Sequence, residues 1–183
     1  MNRPARRASL LVALGTVALS GCGVVGVTFG EPEPAEHGWD LPPVTVADDG
    51  TPSTIHLYPD PWQGEHVGRT SDGRQFFLTT PFEPGGPAWV ALYTFDADGA
   101  LLDATIRRVD ESAEEYDRAT TSLLATLGDH ENGPVALAPF EVEHDGRTFG
   151  LVRGDYDGVT VYTAEPGDYM AFYAPWDTGE YDT

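Results

Sequence analysis

Apolar and polar positions alternate in short bursts along most of this chain, and in one stretch they change to a helical period. Ser53 to Tyr58 alternates and stops at Pro59 and Pro61, which predicts a short edge strand and then a turn-rich segment from 59 to 73. Gln75 to Thr79 predicts a second strand, closed by Pro81 and the Glu83-Pro84-Gly85-Gly86-Pro87 loop. Ala88 to Phe95 and Ala100 to Val109 are longer β-rich runs joined by Asp96-Ala97-Asp98-Gly99. Glycine at the last turn position makes this the best hairpin signal so far in the chain.

The helical stretch begins at Ser112-Ala113-Glu114-Glu115. That spacing fits a capping box, in which the hydroxyl accepts from the third helical N–H and the glutamate reaches back to the cap. Ala113, Tyr116, Ala119, Leu123, Leu124 and Leu127 then form one apolar stripe, and Gly128 supplies the stop. Beyond it, Phe140 to His144 and Arg147 to Arg153 flank Asp145-Gly146, a turn whose twist suits a hairpin. Val159 to Thr163 and Tyr169 to Tyr173 extend the same meander. Strands, one helix, then strands argue an α+β fold: an antiparallel β-meander sheet packed against a single amphipathic helix.

The first 43 residues carry none of this patterning. Arg3, Arg6 and Arg7 precede an apolar core from Leu10 to Leu19, which has signal-peptide length and is too short for a membrane span of about 20 residues. It ends in Leu19-Ser20-Gly21-Cys22, which resembles the lipobox of bacterial lipoproteins. The resemblance covers residues 1–22 only. It implies cleavage before Cys22, with that cysteine acylated, so that the protein is held by lipid on the extracytoplasmic face of the cell membrane. Arg6-Arg7 raises twin-arginine export, but Ser9 stands where that motif carries an apolar residue, which favours the general secretory route. Residues 1–21 thus read as a lipoprotein signal peptide and 22–43 as a Gly-, Pro- and Glu-rich tether. Residues 44–183 read as one domain. Gly21-Cys22-Gly23-Val24-Val25-Gly26 spells a dinucleotide-binding string, yet Pro32 and Pro34 deny it the helix that such a site requires.

Composition narrows the chemistry. Cys22 is the only cysteine, so no disulfide, thiol nucleophile or thiolate metal site lies in the domain. The chain has no lysine, which removes Walker A, Schiff-base and S-x-x-K chemistry. With the signal peptide gone, seven arginines face 30 acids, a net charge of −23. Such a surface repels nucleic acid and anionic headgroups, so membrane contact falls to the lipid on Cys22.

Few constellations invite a site. Asp96-Ala97-Asp98-Gly99 and Asp155-Tyr156-Asp157-Gly158 both spell the D-x-D-G kernel of calcium loops, yet neither has the third ligand position or the closing glutamate of an EF-hand. Asp and Gly are also plain turn formers. Turns are therefore the first reading of Asp96, Asp98, Asp155 and Asp157, with Ca²⁺ as the alternative and no other cofactor or metal expected. Asp177-Thr178-Gly179 matches an aspartic-protease string but has no second copy, and the five histidines show no zinc spacing. The segment from Tyr169 to Tyr181 is rich in aromatics and acids. Tyr173, Trp176, Asp177, Glu180 and Tyr181, with Trp62 in the Pro59–Pro61 loop, form the best candidate binding set. The alternative is that Met170, Phe172 and Trp176 belong to a core strand and its cap.

With no catalytic motif, the expectation is a non-catalytic, membrane-anchored lipoprotein whose acidic domain binds an envelope or extracellular protein. Two alternatives stand beside it. One is a small-ligand or carbohydrate module using Trp62 and the C-terminal aromatics; the other is an extracellular hydrolase working through carboxylates.

Overall fold

Eleven strands and one α-helix account for the regular structure of the described residues, which are 40–110, 112–167 and 169–181 of a computed structural model. Cys22, the lipobox and most of the expected tether lie outside them. All of the described residues belong to one compact unit.

The first half is a meander: β2 (His66–Thr70), β3 (Gln75–Thr79), β4 (Ala88–Phe95) and β5 (Leu101–Val109) pair in succession, all antiparallel. β6 (His130–Asn132) adds to the far edge beside β2, giving the order β5-β4-β3-β2-β6. The second half is another meander, β8 (Phe140–His144), β9 (Arg147–Tyr156), β10 (Val159–Glu165) and β11 (Ala171–Tyr173), again antiparallel throughout. A third, two-stranded ladder joins β1 (Ile55–Leu57) to β7 (Val135–Leu137).

The fold is thus mostly β, antiparallel, with one helix. The expected single sheet is corrected to three antiparallel sheets, and the reason lies in β4. All eight of its residues are buried, because both of its faces are covered. Trp89, Ala91, Tyr93 and Phe95 face β8 to β11, where Trp89 meets Phe149 edge-on at 5.3 Å and Tyr93 meets Phe140 at 4.7 Å. Ala88, Val90 and Leu92 face the other way, onto Ala119, Leu123 and Leu127. A strand covered on both sides needs apolar residues at every position, so its sequence shows no alternation to read.

The helix, α1 (Ala113–Leu124), follows its local signals. Ser112 Oγ accepts from the Glu115 N–H at 3.3 Å, and a 3₁₀ turn ends at Gly128 with φ 71°. Glu115 reaches two residues further back than a capping box requires and accepts from the Asp110 N–H at 2.7 Å. Leu123 and Leu127 bury fully, each contributing about 1.5–3 kcal/mol, whereas Ala113 stays exposed.

Two further findings concern segments around the meanders. The stretch 59–73 contains β2 as well as turns. β1 is an edge strand of its two-stranded ladder, as expected, yet all three of its residues are buried. β7 is held in turn by the buried Gln75, whose Nε2 donates to Ala136 O and Asp96 O at 3.1 Å each, and whose Oε1 accepts from the Ala136 N–H. The β4–β5 turn presses on the same backbone; a Cβ on Gly99 would sit 2.3 Å from Ala136 O, at a φ of 87°. Ordered contact also extends back to Pro42, whose carbonyl accepts from His56 Nε2 at 3.0 Å. A bidentate pair, Arg147 Nε to Glu83 Oε1 at 2.8 Å and its second nitrogen to Oε2 at 3.1 Å, ties the 81–87 loop to β9 over the Trp89 ring.

Candidate functional site

Two of the sequence-selected segments meet. In Tyr58-Pro59-Asp60-Pro61-Trp62-Gln63-Gly64 the prolines restrict the backbone, and Asp60 fastens what remains. Its Oδ1 accepts from the Trp62 N–H at 2.6 Å and its Oδ2 from the Gly64 N–H at 3.0 Å. A Cβ on Gly64 would lie 2.2 Å from that Oδ2, so the clasp closes only over glycine. From the other side comes the segment 173–181. Tyr181 places its hydroxyl against Asp60 and the backbone of Gln63 and Gly64, where burial and then the Asp60 carboxylate push the phenol's pKa up. Gly179, at φ 69°, lies where a Cβ would enter the Tyr58 ring.

This docking sorts the candidates. Trp62 stands 72% exposed on its fastened loop. Asp177 and Glu180 are exposed, and Tyr173 is 38% exposed. Tyr173, Glu180 and Tyr181 line a shallow groove of about 320 Å³ with Ala174, Pro175 and Thr178. Trp176 departs from the binding set. It is 6% exposed, packs edge-on against Tyr162 at 6.2 Å, and its carbonyl accepts from the His56 N–H, so it is a wedge between β1 and β10. Met170 and Phe172 are buried with it, and Tyr181 acts as a brace.

On its other flank the Trp62 loop walls a second cleft, of about 320 Å³. Gln63 stands beside the tryptophan. Glu65 and His66 enter from the start of β2, Thr79 and Thr80 from the end of β3, and Tyr116, Asp117 and Thr120 from α1. The Gln63 Oε1 accepts from the hydroxyls of Thr80 at 3.3 Å and Thr79 at 3.5 Å, so the amide is oriented. Among the described residues, the cleft lining contains carboxylates, hydroxyls, an amide and aromatic rings, and no arginine. Sequence reasoning found Trp62 but none of its cleft partners, which come from three elements and share no motif.

Both D-x-D-G strings are turns. Asp96 Oδ1 accepts from the N–H groups of Asp98 and Ala100, and Asp155 Oδ1 from that of Gly158. These oxygens close the backbone locally, and among the described residues no group of three or more His, Cys, Asp or Glu side chains converges as a metal site would. The carboxylates whose pKa values move, Asp49, Asp72 and Glu83, all move down, through hydrogen bonds from Thr51, Thr70 and Arg147 respectively. A general acid needs the opposite shift, and none of the three lines the cleft.

The second turn caps a surface that sequence reasoning missed. β8 pairs with β9 only up to Leu151, and β11 with β10 only from Val161, so the ends of β9 and β10 run on as a two-stranded arm. Arg153 braces its base by donating to Asp49 O at 2.7 Å. Beyond that point Gly154, Asp155, Tyr156 and Val159 are exposed and Thr160 is half-buried. At the tip, flanking Asp157 at φ 51° and Gly158 at φ 81°, Tyr156 and Val159 are direct cross-strand partners, 68% and 51% exposed. The turn was legible as a turn; what lay beyond the sheet edge was not.

Comparison with family models, with curated proteins and with solved structures finds no match.

Proposed function

We propose that this chain is a non-catalytic lipoprotein, anchored through Cys22 on the extracytoplasmic face of the cell membrane, whose acidic domain binds an envelope or extracellular protein. The observation that supports this reading is the β9–β10 arm. An exposed aromatic and an exposed aliphatic side chain sit side by side on a convex tip, flanked by Asp155 and Asp157. A convex tip encloses no small molecule, since small-ligand sites are concave. It suits a groove on a protein, with Tyr156 as the anchor residue and the acidic flank selecting basic neighbours. The lipid and tether keep that tip close to the membrane. Among the described residues no helix is long and apolar enough to cross a membrane.

The test is crosslinking on intact cells with tagged full-length protein, followed by affinity purification and mass spectrometry. A stoichiometric envelope protein is expected with the wild type, lost with Cys22→Ala and reduced about tenfold with the Tyr156→Ser, Val159→Ser double variant, the loss expected of a central anchor. Capture unchanged by the arm substitutions, or no protein captured, overturns the reading.

A further inference from the structure

We propose that the cleft between β2, β3 and α1 is a binding site for a neutral saccharide, with Trp62 as its stacking platform. This site is separate from the arm and does not depend on the arm's partner. A sugar ring has an apolar C–H face and a rim of hydroxyls, and the cleft supplies a complement to each. Trp62 offers an open aromatic surface for the ring face. Its loop is already ordered by Asp60 and Tyr181, so stacking on it costs little conformational freedom.

The hydroxyl rim meets groups of both polarities. Thr79 and Thr80 occupy the Gln63 carbonyl oxygen, which leaves the amide N–H groups to donate to a ligand. Glu65, just before β2, and Asp117, on α1, accept from sugar hydroxyls. At about 320 Å³ the cleft lies at the small end of the roughly 300–1,000 Å³ usual for ligand sites, which suits one or two rings. Two other ligand classes fit worse. Phosphates, sulfates and carboxylates would meet two acids and no arginine. A quaternary ammonium is held by several rings around one point and would make no use of the Gln63 amide N–H groups.

The experiment uses the full lipidated chain in a polyoxyethylene detergent, which carries no sugar. The probes are neutral mono-, di- and trisaccharides of glucose, galactose, mannose and N-acetylglucosamine, followed by tryptophan fluorescence and ligand-observed NMR. At least one should bind saturably, weaken about tenfold with Trp62→Ala, weaken also with Gln63→Ala, and bind unchanged to the Tyr156→Ser, Val159→Ser variant. Equal thermal melting of the variants shows that they are folded. Saturation by no member of the panel, equal binding to Trp62→Ala, or saturation by choline that displaces the sugar overturns the proposal. Because the arm variant is judged by protein capture and the cleft variants by sugar binding, failure of one reading is distinguishable from failure of the other.

Discussion

The β9–β10 arm and the Trp62 loop both hold an aromatic side chain out in solvent, by opposite means. The arm relies mainly on backbone: a ladder and a two-residue turn carry Tyr156 beyond the sheet, with Arg153 fastening its base and Asp155 closing the turn at its tip. The loop has no ladder of its own and relies on side chains, with Asp60 clasping it from within and Tyr181 from outside. The first device produces a convex tip, the second a concave wall. Exposure alone therefore does not define a binding surface; the shape of what holds the residue decides which class of partner can reach it.

The largest expected effect concerns the two tryptophans that sequence reasoning grouped together. Trp176→Ala should cost about 3–5 kcal/mol, because it empties a packed wedge, whereas Trp62→Ala should fall within about 0.5 kcal/mol of the wild type. Urea denaturation of both variants checks this, and equal losses would mean that Trp62 is structural as well. Next comes the clasp. Asp60→Ala removes the acceptor for two backbone N–H groups and for Tyr181, at about 1–3 kcal/mol. Hydrogen exchange should speed up at Trp62 and Gly64 and stay unchanged in the arm; faster exchange in both would show that the two regions are coupled. The smallest effect is electrostatic and acts beside the turn of the β8–β9 hairpin. The Arg147 guanidinium holds the Glu83 carboxyl below its ordinary range. That contribution is complete above the ordinary glutamate range and is lost as pH falls through the lower folded-state value. Glu83→Gln should therefore be slightly less stable near neutral pH, and the gap should close on acidification in a series of melts.

What could be read from the sequence was local. Ser112 and Gly128 bound the helical segment because a cap and a stop are decided within a turn of the chain. Asp96 to Gly99 and Asp145-Gly146 announced hairpins for the same reason. β6 and β7 went unseen because each is short and closely bounded by glycine or proline, with no longer alternating run around it as β1 and β11 have, and β2 was obscured in the same way. Covering β4 on both faces erased the alternation that would have revealed a second sheet. Of the candidate site, Trp62 was legible as an aromatic in a proline loop. Its separation from Trp176 was legible only as the alternative that Met170, Phe172 and Trp176 form a core strand and its cap; the structure bears that alternative out through Tyr162 and His56, which are distant in sequence. The cleft and the arm depend on where three elements converge and where two ladders stop, and neither leaves a mark in composition.

The β1–β7 ladder has a consequence for the order of assembly. Within each meander, successive strands pair across short connections, so little chain entropy opposes their formation. Joining Ile55 to Leu137 instead closes a loop that spans the first meander and the helix, and Gln75 can clasp Ala136 only once that closure is made. Two early meanders and one late seam follow from this arrangement, the seam including the β2–β6 ladder, which closes nearly the same loop. The seam is also where Trp176 crosses β1, so the Trp62 loop and its brace become fixed in the last step of folding.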